Sequence, residues 1–147
     1  MLLAEKPLII GSSNNKGGLT SSTQNENYWY NIGYMENRIM VLLGGKAATE
    51  FHFNRLDVGA SQDIDRAGRI IWRICNDYYA NNFNIFNRDY SETSKLKGEE
   101  WVSQKLQEYY NKAKDIIFNN KDKLDMLANE LMDKKVLLQE DINKVIR

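Results

Sequence analysis

The chain holds 147 residues, 42% of them hydrophobic, and its 20 basic and 20 acidic side chains cancel to a formal net charge of +0. That length fits one domain with a single core, and the cancelled charge leaves no global field to gather nucleic acid or an anionic membrane surface. The lone cysteine, Cys75, excludes an intramolecular disulfide and a Cys-rich structural zinc site, and it fits a reducing, cytosolic setting.

Met1 to Gly11 is apolar but interrupted by Glu5, Lys6 and the only proline, Pro7. It is too short and too broken for a membrane span and lacks the basic start of a signal peptide. The segment is therefore expected to be soluble and cytoplasmic, with any anchor lying elsewhere in a parent protein. From Leu8 to Thr23, two short apolar runs flank Ser12-Ser13-Asn14-Asn15-Lys16-Gly17-Gly18, which predicts two strands joined by a Gly/Asn-rich turn. Asn25 to Tyr34 reads as a loop with an aromatic cluster of Tyr28, Trp29, Tyr30 and Tyr34. Such a cluster covers a small core or offers a stacking surface.

Ile39, Met40, Leu42, Leu43, Ala47 and Phe51 recur at helical spacing, predicting a helix from about Glu36 to Phe51. Gly44 and Gly45 lie in its interior, where each costs about 1 kcal/mol against alanine. Either another backbone approaches closely there or the helix kinks. After a connector from Asn54 to Ser61, Ile64, Ala67, Gly68, Ile71, Ile74 and Cys75 line one face of a second helix, with Ser61 as its expected N-cap. Asp63 and Asp65 fall in its first turn, where a carboxylate is stabilised by the helix dipole. Asp77 to Tyr90 is rich in Asn and aromatic residues and serves either as a connector or as a substrate-side loop.

Val102, Leu106, Tyr109, Ala113 and Ile116 then step by four, three, four and three, forming one stripe with Lys105, Glu108, Lys112 and Asp115 facing water. Asn119-Asn120 marks a break. Leu124, Leu127, Ala128 and Leu131 resume the pattern up to Lys134-Lys135, and Gln139 to Arg147 forms a short last helix. This half is expected to be a helical bundle with short loops. Neither Gly17-Gly18 nor Gly44-Gly45 has the order of a phosphate-binding loop.

Several of these motifs, in this order, resemble the peptidase domain of the FtsH-type ATP-dependent zinc metalloproteases. The residues Arg38-Ile39-Met40-Val41-Leu42-Leu43-Gly44-Gly45-Lys46-Ala47-Ala48-Thr49-Glu50 are similar to the family's R-I-x-V-L-L-G-G-R-A-A-E-E helix. Gly59-Ala60-Ser61-Gln62-Asp63-Ile64 is similar to its G-A-S-N-D-L. Tyr110 to Ala113, Asn120 to Leu124 and Leu127 to Leu131 look like its Y-x-x-A, N-x-x-x-L and L-A-x-x-L. The resemblance implies a mainly α, helical-bundle fold with a short N-terminal β-hairpin. It implies one domain over 1–147, with hairpin and aromatic loop at 1–34, zinc-site helices at 35–80 and a C-terminal helical bundle at 91–147.

In that family a His-Glu-x-x-His helix supplies two zinc ligands and the general base, and the Asp of G-A-S-N-D supplies the third ligand. The resemblance makes Asp63 that ligand. Glu50 falls at an acidic position beside the site, as an outer-shell support or as a helix-surface carboxylate. Zinc would polarise the scissile carbonyl and acidify a water, whose proton the Glu removes. The chain itself contains one histidine, His52, at a position that is ordinarily apolar and where a structural role is expected. The centre is thus incomplete here: no catalytic residue is assigned, no zinc is expected to be held by this chain, and the chain alone is expected to be inactive. Lys46, Thr49, Val58, Gln62 and Asp77-Tyr78-Tyr79-Ala80 depart from the family pattern and mark a divergent member. The resemblance further implies unfolded or membrane protein substrates for the parent and a hexameric assembly, with no membrane contact by this segment. A non-catalytic helical module for oligomerisation or regulation is the alternative.

Overall fold

The computed structural model describes residues 7–11, 19–22, 31–55, 58–77 and 92–146. The architecture is mainly helical. Strands β1 (Pro7–Gly11) and β2 (Leu19–Ser22) precede α1 (Ile32–Phe53) and α2 (Ser61–Asp77). The order continues with α3 (Glu92–Asn119), α4 (Lys121–Lys134), β3 (Val136–Leu138) and α5 (Gln139–Ile146).

Asn31 sets the start of α1. Its backbone is extended and its side chain accepts from the Gly33 amide at 2.8 Å, which satisfies one of the free donors of the first turn. The helix therefore begins four residues before the expected Glu36, and Tyr34, read as part of an aromatic loop, is a buried helical residue. The other three aromatics of that cluster lie outside the described residues, as does the loop after Asp77. At the far end Asn54 takes the left-handed conformation with φ 49° and returns its amide to the Glu50 carbonyl, a compact C-terminal stop.

Among the described residues neither the kink nor the close approach expected at the paired glycines is seen. The helix runs unbroken through Gly44 and Gly45, and a methyl group at either position would meet nothing within 4 Å among the described residues. Gly44→Ala and Gly45→Ala are accordingly expected to raise stability by about 1 kcal/mol each, the helix-propensity difference alone. Urea denaturation checks this; a loss of stability would mean that another backbone does pack there.

The core is built where α1, α2 and α3 meet. Ile39, Leu43 and Ala47 of α1 pack with Ala67, Ile71 and Ile74 of α2 and with Tyr109 and Ala113 of α3, all buried. The stripes predicted on all three helices supply these residues. The C-terminal half, however, does not form a bundle by itself: α3 packs chiefly on α1 and α2, and no residue of α4 is fully buried. The break at Asn119-Asn120 is as expected. Asn120 donates its side-chain amide to the Ile116 carbonyl at 2.8 Å, and its own carbonyl receives Leu124 N–H at 3.0 Å, so one residue ends α3 and starts α4.

A self-contained hairpin at the N-terminus gives way to a three-stranded sheet of order β2-β1-β3. β1 is its central strand and pairs antiparallel with β3 through Ile9↔Leu138, Ile10↔Leu137 and Gly11↔Val136. The turn expected between the first two strands lies outside the described residues. Lys135, at φ 64°, closes α4 and turns the chain into β3. Asp141 then accepts from the Leu138 amide at 3.2 Å and from Lys134 at 2.8 Å, tying the start of α5 to the end of α4.

Candidate functional site

The turn that carries Val58, Gly59 and Ala60 leads directly into α2. Ser61 N–H reaches the Val58 carbonyl at 3.3 Å, and the amides of Asp63 and Ile64 both reach the Ala60 carbonyl, at 3.1 and 3.0 Å. The first helical hydrogen bond thus ends on Ala60, so the cap position is Ala60 and the expected N-cap, Ser61, is the first residue inside the helix. The reason is that the backbone turn itself continues into the helix without a side-chain stop.

This geometry places Asp63 in the first turn of α2. The side chain is 45% exposed, and the Arg66 guanidinium lies 3.6 Å from it, itself largely in solvent. A long, exposed pair of that kind contributes little, so the carboxylate is not committed to the interior. Ile64, the next residue, points the other way and packs on the core cluster.

Asp63 brings one carboxylate, whereas a catalytic zinc takes three protein ligands. Among the described residues no three His, Cys, Asp or Glu side chains are grouped to hold a metal ion. The described donor set therefore does not fit a complete zinc centre. His52, exposed in the last turn of α1, stands edge-on to the Phe53 ring at 4.8 Å.

Glu50 occupies a different environment. Its side chain is only 17% exposed, and both carboxylate oxygens are engaged, one by Lys46 and the other by the Tyr110 hydroxyl of α3. The ammonium groups of Lys46 and Lys114 lie 5.6 and 5.5 Å from the Tyr110 ring centre, within cation–π range. The result is a polar clamp between α1 and α3. The Lys46–Glu50 spacing of four residues makes half of it legible in the sequence; Tyr110, sixty residues further on, carries no such signal. A second link of this type joins the same helices where Tyr109 donates to Glu36 at 2.6 Å.

The clamp shifts the titration of Glu50 and Tyr110. The hydrogen bond from Lys46, then that from Tyr110, holds the Glu50 carboxyl below the usual range against the opposing effect of burial. Burial, then the hydrogen bond to Glu50 and its charge, pushes the Tyr110 phenol up to about 12. Stability from Glu50 is present above the ordinary carboxylate range and is lost as pH falls through its lowered folded-state value. Stability from Tyr110 is complete below the ordinary phenol value near pH ~10 and is lost as pH rises through about 12. Tyr110→Phe is therefore expected to move the acid-unfolding midpoint to higher pH in a circular-dichroism titration. An unchanged midpoint would show that the clamp is idle.

Beside these residues the surface between α2 and α3 is grooved. One depression of about 410 Å³ is lined by Ile64, Asp65, Gly68, Arg69, Trp72 and Leu106. A second, of about 370 Å³, continues from Ile64 and Leu106 to Leu43, Lys46, Glu50 and Tyr110.

A mainly helical unit with an exposed carboxylate opening its second helix is the arrangement in which comparison with known proteins becomes informative. The family profile of Peptidase family M41 matches residues 4–82, more than half of the sequence, and the chain belongs to that family. Among individual relatives it is similar to the ATP-dependent zinc metalloprotease FtsH of Rhodothermus marinus, with 28% identity over 82% of this chain and 20% of that protein. It is similar also to FtsH 3 of Synechocystis, at 27% identity over 88% of this chain and 25% of the relative. FtsH of Aster yellows witches'-broom phytoplasma is 26% identical over 98% of this chain and 22% of its own length. The chain thus spans a quarter or less of these curated relatives. No helix among the described residues is long and apolar enough to cross a membrane.

Proposed function

We propose that this chain contributes the carboxylate-bearing part of an M41 zinc peptidase centre, with Asp63 as a zinc ligand and the two histidines and the general base supplied by a His-Glu-x-x-His segment outside this sequence. The observation that carries the reading is the half-exposed, nearly uncommitted carboxylate of Asp63 in the first turn of α2, within a chain of this family. Peptide hydrolysis is the reaction of the assembled centre, and zinc supplies a polarised carbonyl and an acidified water when bound. Glu50, engaged by Lys46 and Tyr110, supports the site by fixing α1 against α3. The chain alone is inactive and retains no zinc. Unfolded or membrane proteins are the substrates of the assembled, ATP-driven hexamer, acting on the cytoplasmic side.

The coding sequence ahead of Met1 gives a direct test. An in-frame His-Glu-x-x-His is expected there or in a chain that co-purifies with this one; its absence from both would contradict the enzyme reading.

One observation favours a second reading, a non-catalytic module for association. Among the described residues nothing comes within 4 Å of where a Cβ on Gly44 or Gly45 would sit, and Val41, one turn earlier, is 40% exposed, leaving a shallow face on which another helix can lie. Sedimentation velocity distinguishes the two, since a strict monomer at high concentration contradicts the association module.

A further inference from the structure

The apolar stripe of α3 does not end with that helix. Ile116 is followed, in unbroken steps of four and three, by Asn120, Leu124, Leu127 and Leu131, so α3 and α4 share one helical phase with an asparagine set into it. Yet the chain turns at that asparagine, between the end of α3 at Asn119 and the start of α4 at Lys121. A turn between two helices leaves the last carbonyls of one and the first amides of the other without helical partners. Asn120 serves only the first set: its side-chain amide goes to the Ile116 carbonyl at 2.8 Å, and its side chain makes no capping hydrogen bond to α4. In a helix that ran on through Asn120, the amides of residues 121–123 would reach the carbonyls of 117–119.

The region beyond this hinge is lightly tied to the region before it. No residue of α4 is fully buried, and α4 packs chiefly on β3 and α5 of its own region. Among the described residues the chief attachment of that region is to the N-terminal sheet, where β3 pairs with β1 and α5 also touches β1. A contact that closes within one chain is complementary to the same surface on a second copy, which makes exchange of a terminal segment a low-cost route to a dimer. Here the hinge is one residue long, and joining the two helices brings hydrogen bonds that the closed form lacks.

We propose that Asn120 is the hinge of a reciprocal exchange between two copies of this chain, in which α3 and α4 join as one helix and β3 of each copy pairs with β1 of the other. The asparagine holds the closed form, because its side chain ends α3 and because it is a weaker helix former than alanine. The exchange is independent of the zinc centre and of the α1 face.

The test uses full chains carrying Asn120→Ala, Asn120→Gly or neither, incubated at high concentration and separated by size-exclusion chromatography with light scattering, with folding checked by circular dichroism. Asn120→Ala favours the joined helix at both hinges of a dimer and removes the bond to Ile116. Its dimer dissociation constant is expected to fall by about tenfold or more, while Asn120→Gly shifts it the opposite way. Exchange itself is identified by mixing two chains that lack the native thiol through Cys75→Ser, one carrying Ile9→Cys and the other Leu138→Cys. These positions face each other across β1 and β3, so a disulfide joining one chain of each kind is expected in the dimer. The same capture with the hinge unaltered gives a readout that does not depend on the hinge variants folding. A dimer without that disulfide belongs to another face, such as that of Gly44 and Gly45, and overturns the exchange. Equal dimerisation of the Ala and Gly variants, or a strictly monomeric Asn120→Ala chain, overturns it as well.

Discussion

Ile71→Ala is expected to destabilise the protein by about 2–5 kcal/mol, the range for deleting a fully buried aliphatic side chain from a core that relaxes only partly. Ile71 has no exposed surface and sits in the cluster that joins α1, α2 and α3. Its neighbours include Ala67 and Ala113, too small to collapse into the space left behind. Since small domains are only about 5–15 kcal/mol stable, the loss is a large share of the total. Urea denaturation with the midpoint and slope fitted together checks it: a lower midpoint at an unchanged slope is expected, and a shift of a few tenths of a kcal/mol would contradict the three-helix core.

Leu137→Ala is expected to cost a similar amount, about 2–5 kcal/mol, but in a different place. Leu137 is fully buried in β3, and Ile142 is buried in α5 of the same C-terminal region. No residue of α4 is fully buried, and Leu137 and Ile142 are the fully buried residues after Asn120 among the described ones. Loss of Leu137 should open α4, β3 and α5 before the rest of the molecule. Hydrogen exchange is expected to show faster exchange from Lys121 to Ile146 and near-native protection in α1 to α3. Uniform loss of protection throughout would mean that the two regions unfold as one.

The two variants also separate what the sequence made legible from what it did not. The helical stripes containing Ile39, Ile71 and Tyr109 are periodic, so the faces that build the core could be read from spacing alone, as could the break at Asn119-Asn120. Val136-Leu137-Leu138 gave no such signal: three residues contain too little alternation to announce a strand, and β3 exists because it pairs with β1, more than a hundred residues earlier. The start of α1 was hidden by the aromatic residues around it, although Asn31 is a strong capping residue. The paired glycines suggest close packing, yet no described residue lies within 4 Å of where their side chains would start.

For the candidate site the division is similar. Helix-start chemistry is enough to place Asp63 at the mouth of α2, but its assignment to a metal came from the motif order and not from local physics. The engagement of Glu50 by Tyr110 is a tertiary contact between α1 and α3. Nothing in either local stretch encodes it.

Zinc affinity measured by chelator competition, on the chain mixed with a helical segment carrying His-Glu-x-x-His, tests the role of Asp63 most directly. The mixture is expected to retain zinc that neither component retains alone, and Asp63→Asn is expected to weaken that retention by about a hundredfold or more, since it removes one of three ligands. Equal retention by the Asp63→Asn mixture would contradict the assignment of this carboxylate to the peptidase centre.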